Sequence, residues 1–562
     1  MRKSELAALS KLLAWTAFLA TIVVTPWYTV DPINVPKLGI ISLGGFMCLG
    51  ILGANRKFLG QAKFRIILVC ALLFVLDLFL VFFIAGTNPT QEFFGDYGRS
   101  TGLLAYRSLS LLFVAAVVGY SDELLEKIKR ALLLTGAVSL LYGLIQVLGM
   151  DPIKWVNQYS PVIGFLGNPN FQSSFLGLSA VLSLALMLGA LKNPLSLFGY
   201  VTYQLVSLFV IVKTNAQQGL LVFAGGAAIV LVLWIRTTRV KFLAVPSYVI
   251  SACGFILVTL GTLNSGPLAS LLYKESVAYR SDYWGAGIKM GLENPIFGVG
   301  MDSYGDWYRR ARSVEATLRR GPEVTSNAAH NVVIDFFAYG GFPLAIIYLS
   351  LMFLVLRSCY LVIKRAHTYN PTFIGLVAVW VAYQAQSIIS LNQLGLAVWG
   401  WIISGLIIGY EINTRGGQHG VDPAASASKN MKAVKSSKEE LPPLTVVGTF
   451  LGLVAGAILV MPTVIASSQH KSALGSGRIQ SIIDMAYRWP TDPMRMGQAA
   501  LILQANKLGA ESLAMITEAT KKFPSEFDIW QILAQAPNAT KAQVAEANLQ
   551  MKRLDPNNPN LK

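Results

Sequence analysis

Charged residues are scarce in this sequence, and their scarcity excludes a soluble protein. Lysine, arginine, aspartate and glutamate make up 13% of the 562 residues, whereas 54% are hydrophobic and the mean hydropathy is +0.53. A soluble globular chain has about a quarter of its residues charged. The composition therefore predicts a protein that lies mostly within a membrane.

Cysteine and histidine are rare as well. The cysteines lie within apolar runs or at their ends and form no CxxC pair, so they indicate neither a disulfide framework nor a metal site. They are Cys48, Cys70, Cys253 and Cys359. The histidines are His330, His367, His419 and His470. Because no cluster of metal-ligand type is visible among the predicted outer residues, we expect neither a metal nor another cofactor.

Long apolar runs recur along most of the chain. Most have about 18 to 23 residues, which is enough for a helix to cross roughly 30 Å of hydrocarbon. The predicted fold class is therefore all-α, a polytopic membrane protein of about 13 transmembrane helices. The predicted spans are 8–27, 37–55, 64–86, 103–120, 130–149, 169–190, 196–213, 218–235, 242–262, 331–357, 372–389, 395–412 and 444–466.

Lysine and arginine are concentrated in alternate short loops. Arg56 and Lys57 follow the second span, Lys127 and Lys129 follow the fourth, and Lys364 follows the tenth. Such loops stay on the cytoplasmic side, so we predict a multi-pass protein of the cytoplasmic (inner) membrane with a cytoplasmic N-terminus. Topology and attraction to the membrane surface then explain the net charge of +17, and no nucleic-acid partner is expected.

The chain is predicted to divide into a transmembrane domain and a tail. The transmembrane domain covers 1–466 and includes a large outer loop, 263–330, and a cytoplasmic linker, 413–443, rich in lysine, serine and alanine. The tail covers 467–562 and is soluble in character. An odd number of spans places it outside the membrane, as an extracytoplasmic domain.

The tail carries a weak repeat. The stretches "YRWPTDP", "KKFPSEFDIW" and "KRLDPNNPN" place Pro490, Pro524 and Pro556 at intervals of 34 and 32 residues, with helical patterns between them. This period resembles the tetratricopeptide repeat, a helix–turn–helix unit. We therefore predict a small TPR-like domain that packs on the membrane domain or on a protein partner. An ordinary small helical domain is the alternative.

Polar residues gather in the predicted outer loops and at the outer ends of helices. They occur in the stretches "GRSTG", "GNPNF", "NAQQG", "AYRSDYW" and "SNAAHN". The residues singled out there are Arg99, Asn168, Asn170, Gln217, Gln218, Arg280, Trp284, His330 and Asn331. If the predicted topology holds, all of them face one outer surface.

Ionisable residues are few within the predicted spans, where Asp77 and Asp335 are the main ones. An ion-coupled transporter usually has several charges near mid-membrane, or paired broken helices in two related halves. No internal duplication of the spans is visible in the sequence. A non-catalytic polysaccharide or lipid transporter is therefore kept as an alternative hypothesis. A membrane anchor that presents the tail as a binding module is a further alternative.

The order of the polar stretches carries a resemblance to a known family. "GRSTG", "GNPNF", an arginine three residues before a tryptophan, "NPIFGVGMDSYG", "HN" and "YGGFPLA" follow one another over about 90–410. This order resembles the O-antigen ligase and polymerase superfamily. These are integral-membrane glycosyltransferases of the GT-C type, and they include bacterial protein O-oligosaccharyltransferases. Some members also have a repeat-bearing outer tail.

The resemblance implies a role in cell-surface polysaccharide assembly. The activity would be transfer of an oligosaccharide or polysaccharide from a polyprenyl-pyrophosphate carrier to a hydroxyl acceptor on the outer face of the membrane. The enzyme would be an inverting glycosyltransferase that needs no metal. Its partners would be the lipid-linked glycan, membrane lipid and a glycan, lipid or protein acceptor. Ligase, polymerase and protein O-oligosaccharyltransferase remain open.

The implied chemistry gives three of these residues a role. Negative charge grows on the leaving pyrophosphate, and arginine stays charged while its planar fork bonds two phosphate oxygens. We therefore predict that Arg280 is catalytic and that Arg99 binds the pyrophosphate. The attacking hydroxyl must lose a proton, and His330 is the predicted catalytic group that accepts it or orients the acceptor.

The remaining residues are predicted to bind the pyrophosphate or the glycan. They are Asn168, Asn170, Gln217, Gln218, Trp284 and Asn331. Helices that begin near Asn170 and Gln218 would supply backbone donors to phosphate. Trp284 suits stacking on a sugar face, and an interfacial aromatic belt is the alternative.

The chain departs from the family at Gln217–Gln218. Many members have a serine–arginine pair there, and the arginine is thought to contact pyrophosphate. Either Lys213, Arg309, Arg310 or another loop cation substitutes for it here, or the carrier is held differently.

Structural alternatives exist for the charged candidates. Arg280 could pair with Asp282 or Glu275, and Arg99 could pair with Asp96. The asparagines at helix starts could simply cap those helices.

Overall fold

The computed structural model describes residues 1–155, 160–238, 240–273, 275–415 and 440–561. Within these ranges the chain is helical and forms no strand, which confirms the all-α fold class. Most of the predicted linker, together with His419, lies outside the described residues.

The α-helices of the described residues are numbered here in chain order. They are α1 (Lys3–Ile22), α2 (Asn34–Ala54), α3 (Arg56–Leu59), α4 (Arg65–Ile84), α5 (Pro89–Phe94), α6 (Leu103–Val118), α7 (Asp122–Val147), α8 (Pro169–Gly189), α9 (Pro194–Lys213), α10 (Gln218–Thr237), α11 (Ala244–Thr262), α12 (Ala269–Leu272), α13 (Glu275–Glu293), α14 (Tyr304–Ala311), α15 (Val314–Arg320), α16 (Val332–Arg365), α17 (Pro371–Ser387), α18 (Leu394–Thr414), α19 (Pro443–Ser476), α20 (Ile479–Ala486), α21 (Pro493–Ala505), α22 (Gly509–Lys522), α23 (Phe527–Ala534) and α24 (Lys541–Leu554).

Every predicted span coincides with a helix. Within the described ranges, 11 helices are long and apolar enough to cross a membrane, which confirms a polytopic membrane protein. The other two predicted spans correspond to α6 and α17, which have 16 and 17 residues. Both are buried along most of their length, as is α18. These three helices therefore lie at the centre of the bundle.

Helices α2 and α19 pack closely through small residues. A Cβ on Gly448 would lie 2.5 Å from the carbonyl oxygen of Gly50, and a Cβ on Gly452 would lie 2.1 Å from that of Phe46. Spaced glycines of this kind let two membrane helices approach at their backbones. The contact fixes α19, which leads into the tail, against the second helix of the chain.

One end of the bundle is closed by polar contacts between helix ends. The Glu5 carboxylate accepts a hydrogen bond from Asn55 Nδ2 at 3.0 Å and another from the Thr445 hydroxyl. The three residues belong to the start of α1, the position after α2 and the start of α19. The basic loop after α2 lies at this end, which the sequence predicts to be cytoplasmic.

The opposite end, which we call the polar end, carries the longer loops and the tail. Ser467 Oγ accepts a hydrogen bond from the backbone N–H of Val30 at 3.2 Å, and Asn34 Nδ2 donates one to the carbonyl of Gly98 at 2.7 Å. The segments that meet at the polar end are 23–33, 85–102, 294–331 and 467–561.

The tail has its own hydrophobic core. Buried residues from the end of α19 and from α20 to α24 form one cluster, which includes Met496, Ile516, Trp530 and Met551. Helix α21 packs against α22, and α23 packs against α24. Successive helix pairs are what a TPR-like tail requires. The repeat assignment, the domain boundaries and the extracytoplasmic location stay predictions.

Candidate active site

A kink in α16 shapes the polar end. The helix leaves helical geometry at Gly340 and Gly341, and the carbonyls of Ala338 and Tyr339 accept hydrogen bonds from the N–H groups of Val299 and Gly300 at 2.9 and 3.1 Å. Gly341 has φ +64°, a conformation that favours glycine. The motifs "NPIFGVG" and "YGGF" are thus two sides of one backbone contact. This contact places Asp302, which follows Gly300 by two residues, against α16.

Asp302 holds the segment that carries Arg99. Its side chain is buried, and its oxygens accept hydrogen bonds from Asp96 N at 2.7 Å, Thr101 N at 3.2 Å, Thr101 Oγ1 at 3.0 Å and the Tyr339 hydroxyl at 3.2 Å. Burial raises the pKa of Asp302, and these hydrogen bonds oppose that effect. Sequence reasoning did not single out Asp302, although it lies in the quoted motif "GVGMDSYG".

Arg99 reaches a neutral partner rather than a carboxylate. Its Nε donates to Asn327 Oδ1 at 3.0 Å, a second guanidinium nitrogen donates to the same oxygen, and Asn327 Nδ2 donates to Asp96 Oδ2 at 3.1 Å. Burial, followed by the neighbouring Asp302 and Asp306, raises the pKa of Asp96 to about 8. Asp96 is therefore mostly uncharged at pH 7, and the charge of Arg99 stays available.

His330 lies beside three arginines in an unusual backbone conformation. Its φ is +55°, and its ring stacks on Tyr283 with centroids 5.4 Å apart. A left-handed conformation at a residue other than glycine carries strain that surrounding contacts must maintain. Here the flanking residues do so: Ala329 N donates to Asp335 Oδ1 at 2.6 Å, and Asn331 Oδ1 accepts from Val333 N at 3.0 Å.

The ring of His330 is neutral and open to a ligand. Burial, followed by the charges of Arg99, Arg280 and Arg320, lowers the pKa of His330 to about 3. Within the described residues, neither ring nitrogen takes part in a hydrogen bond. A neutral imidazole with a free nitrogen can accept a proton or a hydrogen bond from an acceptor hydroxyl.

Arg280 has no carboxylate partner among the described residues. Asp282, the first alternative partner, pairs with Arg319 at 3.2 Å, and Glu275, the second, accepts a hydrogen bond from the Tyr279 hydroxyl at 3.3 Å. Burial lowers the pKa of Arg280. Its charge is thus partly desolvated and not balanced in place.

Arg320 is a further cation of the site, and sequence reasoning missed it. Its guanidinium lies over the rings of Tyr279 and Tyr283, with centroid distances of 4.4 and 5.0 Å, and donates to the Tyr283 hydroxyl. Tyr283 is also the ring that stacks on His330. Aromatic rings hold a guanidinium without neutralising it. The only sequence signal was an arginine pair at the end of a short helix.

The cations proposed as substitutes at Gln217–Gln218 differ in their neighbours, which are a carboxylate for Arg309 and aromatic rings for Arg310 and Lys213. Arg309 pairs with Asp555 at 3.3 Å, Arg310 lies 4.0 Å from the ring centroid of Trp307, and Lys213 lies over a phenylalanine of its own helix. Arg320 is a further loop cation beside Arg280 whose charge acts on His330, and substitution by Arg310 or Lys213 stays a prediction.

The other predicted residues lie at the same end of the bundle, and some of them cap a helix or bond to the backbone. Asn168 caps α8 by accepting from Asn170 N at 2.8 Å, and Gln217 Nε2 donates to a backbone carbonyl of the loop at 3.0 Å. Within the described residues, the buried Gln218 Nε2 and the Trp284 indole N–H have no hydrogen-bond partner. Trp284 follows Arg280 by one helical turn, so both lie on one face of α13.

A comparison with known families matches residues that include part of this site. A family model described as O-antigen ligase matches residues 203–349. Residues 203–349 of this chain therefore match an O-antigen ligase domain. The match confirms the predicted superfamily and covers Arg280, Arg320 and His330, whereas Arg99 and the tail lie outside the residues matched. A search of the curated proteins finds no match.

The described part of the O-antigen ligase domain contains no group of three or more His, Cys, Asp or Glu side chains arranged to hold a metal. Metal independence stays a prediction. What the site does contain is a neutral histidine whose pKa is lowered by three arginines, of which Arg99 is held by an amide and Arg320 by aromatic rings.

Proposed function

We propose that this protein transfers a glycan from a polyprenyl-pyrophosphate carrier to a hydroxyl acceptor at the polar end, predicted to be the outer face of the inner membrane. The family match supports cell-surface polysaccharide assembly in general. The observation that carries the finer proposal is the contact of both Arg320 and His330 with the ring of Tyr283, and the charges of Arg99 and Arg280 also lower the pKa of His330. Among the described residues, none of these three arginines forms an ion pair.

The arginines suit the leaving group. The acceptor oxygen bonds to the anomeric carbon while the bond from that carbon to the pyrophosphate oxygen breaks, which inverts the configuration. The electron pair leaves with the pyrophosphate, whose charge grows in the transition state. Fixed cations that are already partly desolvated stabilise this charge without reorganising, and no metal is required. Arg280 and Arg320 act on the pyrophosphate, and Arg99 acts from the opposite segment.

His330 suits the acceptor. The hydroxyl proton passes to the free ring nitrogen as the oxygen attacks, and then to solvent or to the released carrier. An imidazole with a pKa near 3 is a weak base, but that value belongs to the site without substrate. A pyrophosphate bound among the arginines offsets their charge and raises the pKa of His330. Carrier binding would therefore prepare the base.

The test is transfer by the reconstituted full-length protein. The protein is supplied with a polyprenyl-pyrophosphate oligosaccharide and EDTA, in separate reactions with a glycan, a lipid and a protein acceptor, and release of the polyprenyl pyrophosphate is followed. We expect Arg280→Ala and His330→Ala each to lose about a hundredfold or more in rate.

Arg319→Ala is the matched control, because Arg319 is in the same loop but pairs with Asp282 and is half exposed. Its rate should stay within about threefold of the unmodified protein, since exposed ion pairs contribute little. The acceptor that supports transfer distinguishes polymerase, ligase and protein glycosylation. Carrier release that is absent with all three acceptors, or unaffected in both alanine variants, would refute the proposal. Glycan movement without carrier release would support the transporter hypothesis.

A further inference from the structure

The tail docks on the polar loops through one buried carboxylate. Asp555, directly after α24, is fully buried and accepts from Arg312 at 2.6 Å and from Arg309 at 3.3 Å. Arg312 is also buried. Two buried guanidinium groups need a counter-charge, because an unpaired buried charge is strongly unfavourable. Asp528 also approaches Arg309, at 3.6 Å, but its side chain is 77% exposed.

The same two arginines hold the segment that follows Arg320. Arg312 donates to the carbonyls of Pro322 at 2.8 Å and Val324 at 3.0 Å, and Arg309 donates to that of Pro322 at 3.0 Å. Helix α15 ends at Arg320, and the chain turns sharply at Gly321, where φ is +91°. The path of the backbone on the C-terminal side of Arg320 is therefore set by arginines whose charge the tail balances.

Two asparagines of the tail complete this contact. Asn557 Nδ2 donates to the carbonyl of Arg312 at 2.7 Å, and Asn558 Nδ2 donates to Asp555 Oδ2 at 3.1 Å. One bonds the backbone of the loop, and the other orients the carboxylate. Charge pairing and backbone bonding thus act on the same short stretch of the loop.

We propose that Asp555 is a positioning residue for glycan transfer: through Arg309, Arg312 and the backbone of 321–324 it fixes Arg320 beside His330. This inference rests on the proposed function, in which Arg320 binds the pyrophosphate. It makes the tail part of the construction of the active site, in contrast to a tail that is only presented by a membrane anchor.

The test is a double-mutant cycle in the full-length protein. Arg320→Ala should lower kcat/KM for the carrier by about a hundredfold, as expected for loss of one electrostatic contact to a leaving group. Asp555→Asn should lower it by at least about tenfold, Asp555→Glu should retain more activity than Asp555→Asn, and Asp528→Asn should change it less than about threefold. In the Arg320→Ala background, Asp555→Asn should cost less than a further threefold, because residues that act through one another are not additive.

A second measurement does not depend on activity. Hydrogen exchange at the backbone amides of Gly321 and 323–325 should be faster in Asp555→Asn than in Asp528→Asn. Losses that multiply in the double variant, or full activity of Asp555→Asn, would overturn the positioning role while leaving the proposed function in place. Full activity of Arg320→Ala would instead remove Arg320 from the proposed function.

If Asp555→Asn cannot be purified folded, Asn557→Ala takes its place. It removes the hydrogen bond to the Arg312 carbonyl and leaves both ion pairs intact. A severalfold loss that disappears in the Arg320→Ala background supports the positioning role. No loss, or a loss that persists in that background, overturns it.

Discussion

The pH dependence of transfer tests whether His330 is the base. In the protein without substrate, burial and then three arginines lower the pKa of His330 from its usual 6.5 to about 3. That shift corresponds to about 5 kcal/mol of preference for the neutral ring. A base works only when it is unprotonated, so activity is lost as the pH falls through its pKa. Since kcat/KM reports the free enzyme, His330 should give it no acid limb between about pH 8 and pH 5.

The pH dependence of kcat should differ, because kcat reports the enzyme with substrate bound. Bound pyrophosphate cancels the effect of the arginines on His330, whereas the effect of burial remains. We therefore expect the pKa of His330 in the complex to lie between about 3 and 6.5. The acid limb of kcat should accordingly lie above that of kcat/KM.

Removing one arginine charge tests whether the arginines set the pKa of His330. Arg320→Ala deletes one cation that lowers the pKa of His330, so the acid limb of kcat/KM should move upward, whereas Arg319→Ala should leave it in place. Asp96, with its pKa raised to about 8, also titrates near neutrality, and Asp96→Asn removes its contribution. Initial rates of carrier release from about pH 4 to pH 8 give the acid limb of kcat and show whether the limb of kcat/KM enters this range in Arg320→Ala. Limbs that coincide in kcat and kcat/KM, and that Arg320→Ala does not move, would refute the reasoning.

Two further predictions concern the framework of the site, and a third concerns the topology of the chain. Asp302→Ala leaves four buried donors without an acceptor and should lower both thermal stability and transfer, whereas Tyr339→Phe removes one of those bonds and should cost only about 1 kcal/mol of unfolding free energy. Gly341→Ala places a Cβ 2.3 Å from a backbone oxygen at φ +64°, so it should destabilise by about 2 kcal/mol or more in thermal unfolding. Glu323 is exposed in the loop, so the cysteine of Glu323→Cys should react with an impermeant thiol reagent from outside intact cells. The cysteine of Lys57→Cys should not react. The reverse result would invert the predicted topology.

The bundle could be predicted from sequence because a membrane span depends on a local property. A run of apolar residues must be long enough to cross the hydrocarbon and must satisfy its own backbone as a helix. All predicted spans accordingly coincide with helices. The predicted and observed ends differ where a helix continues past its apolar part, as α16 does to Arg365 and α19 to Ser476.

The pairing of the loop arginines could not be predicted in the same way. The predicted outer loop contains Arg280, Arg309, Arg310, Arg312, Arg319 and Arg320. Nothing local distinguishes them, since each lies in a short polar stretch. What separates them is contact at long range: Arg312 meets Asp555, which lies 243 residues later in the chain, and Arg319 meets Asp282 on a neighbouring helix. Arg309 is likewise held by Asp555, whereas Arg310 lies over the ring of Trp307, so its role as a substitute at Gln217–Gln218 stays a prediction.

The arginines at the polar end differ in the kind of partner that holds them. Arg309, Arg312 and Arg319 are held by carboxylates, so their charge is already balanced. Arg99 is held by an asparagine amide and Arg320 by aromatic rings. Neutral partners fix the position of a guanidinium and leave its charge for a ligand, because they add no counter-charge that a phosphate would have to displace. The binding of an anionic substrate should therefore be stabilised most by Arg99 and Arg320. These two arginines also lower the pKa of His330.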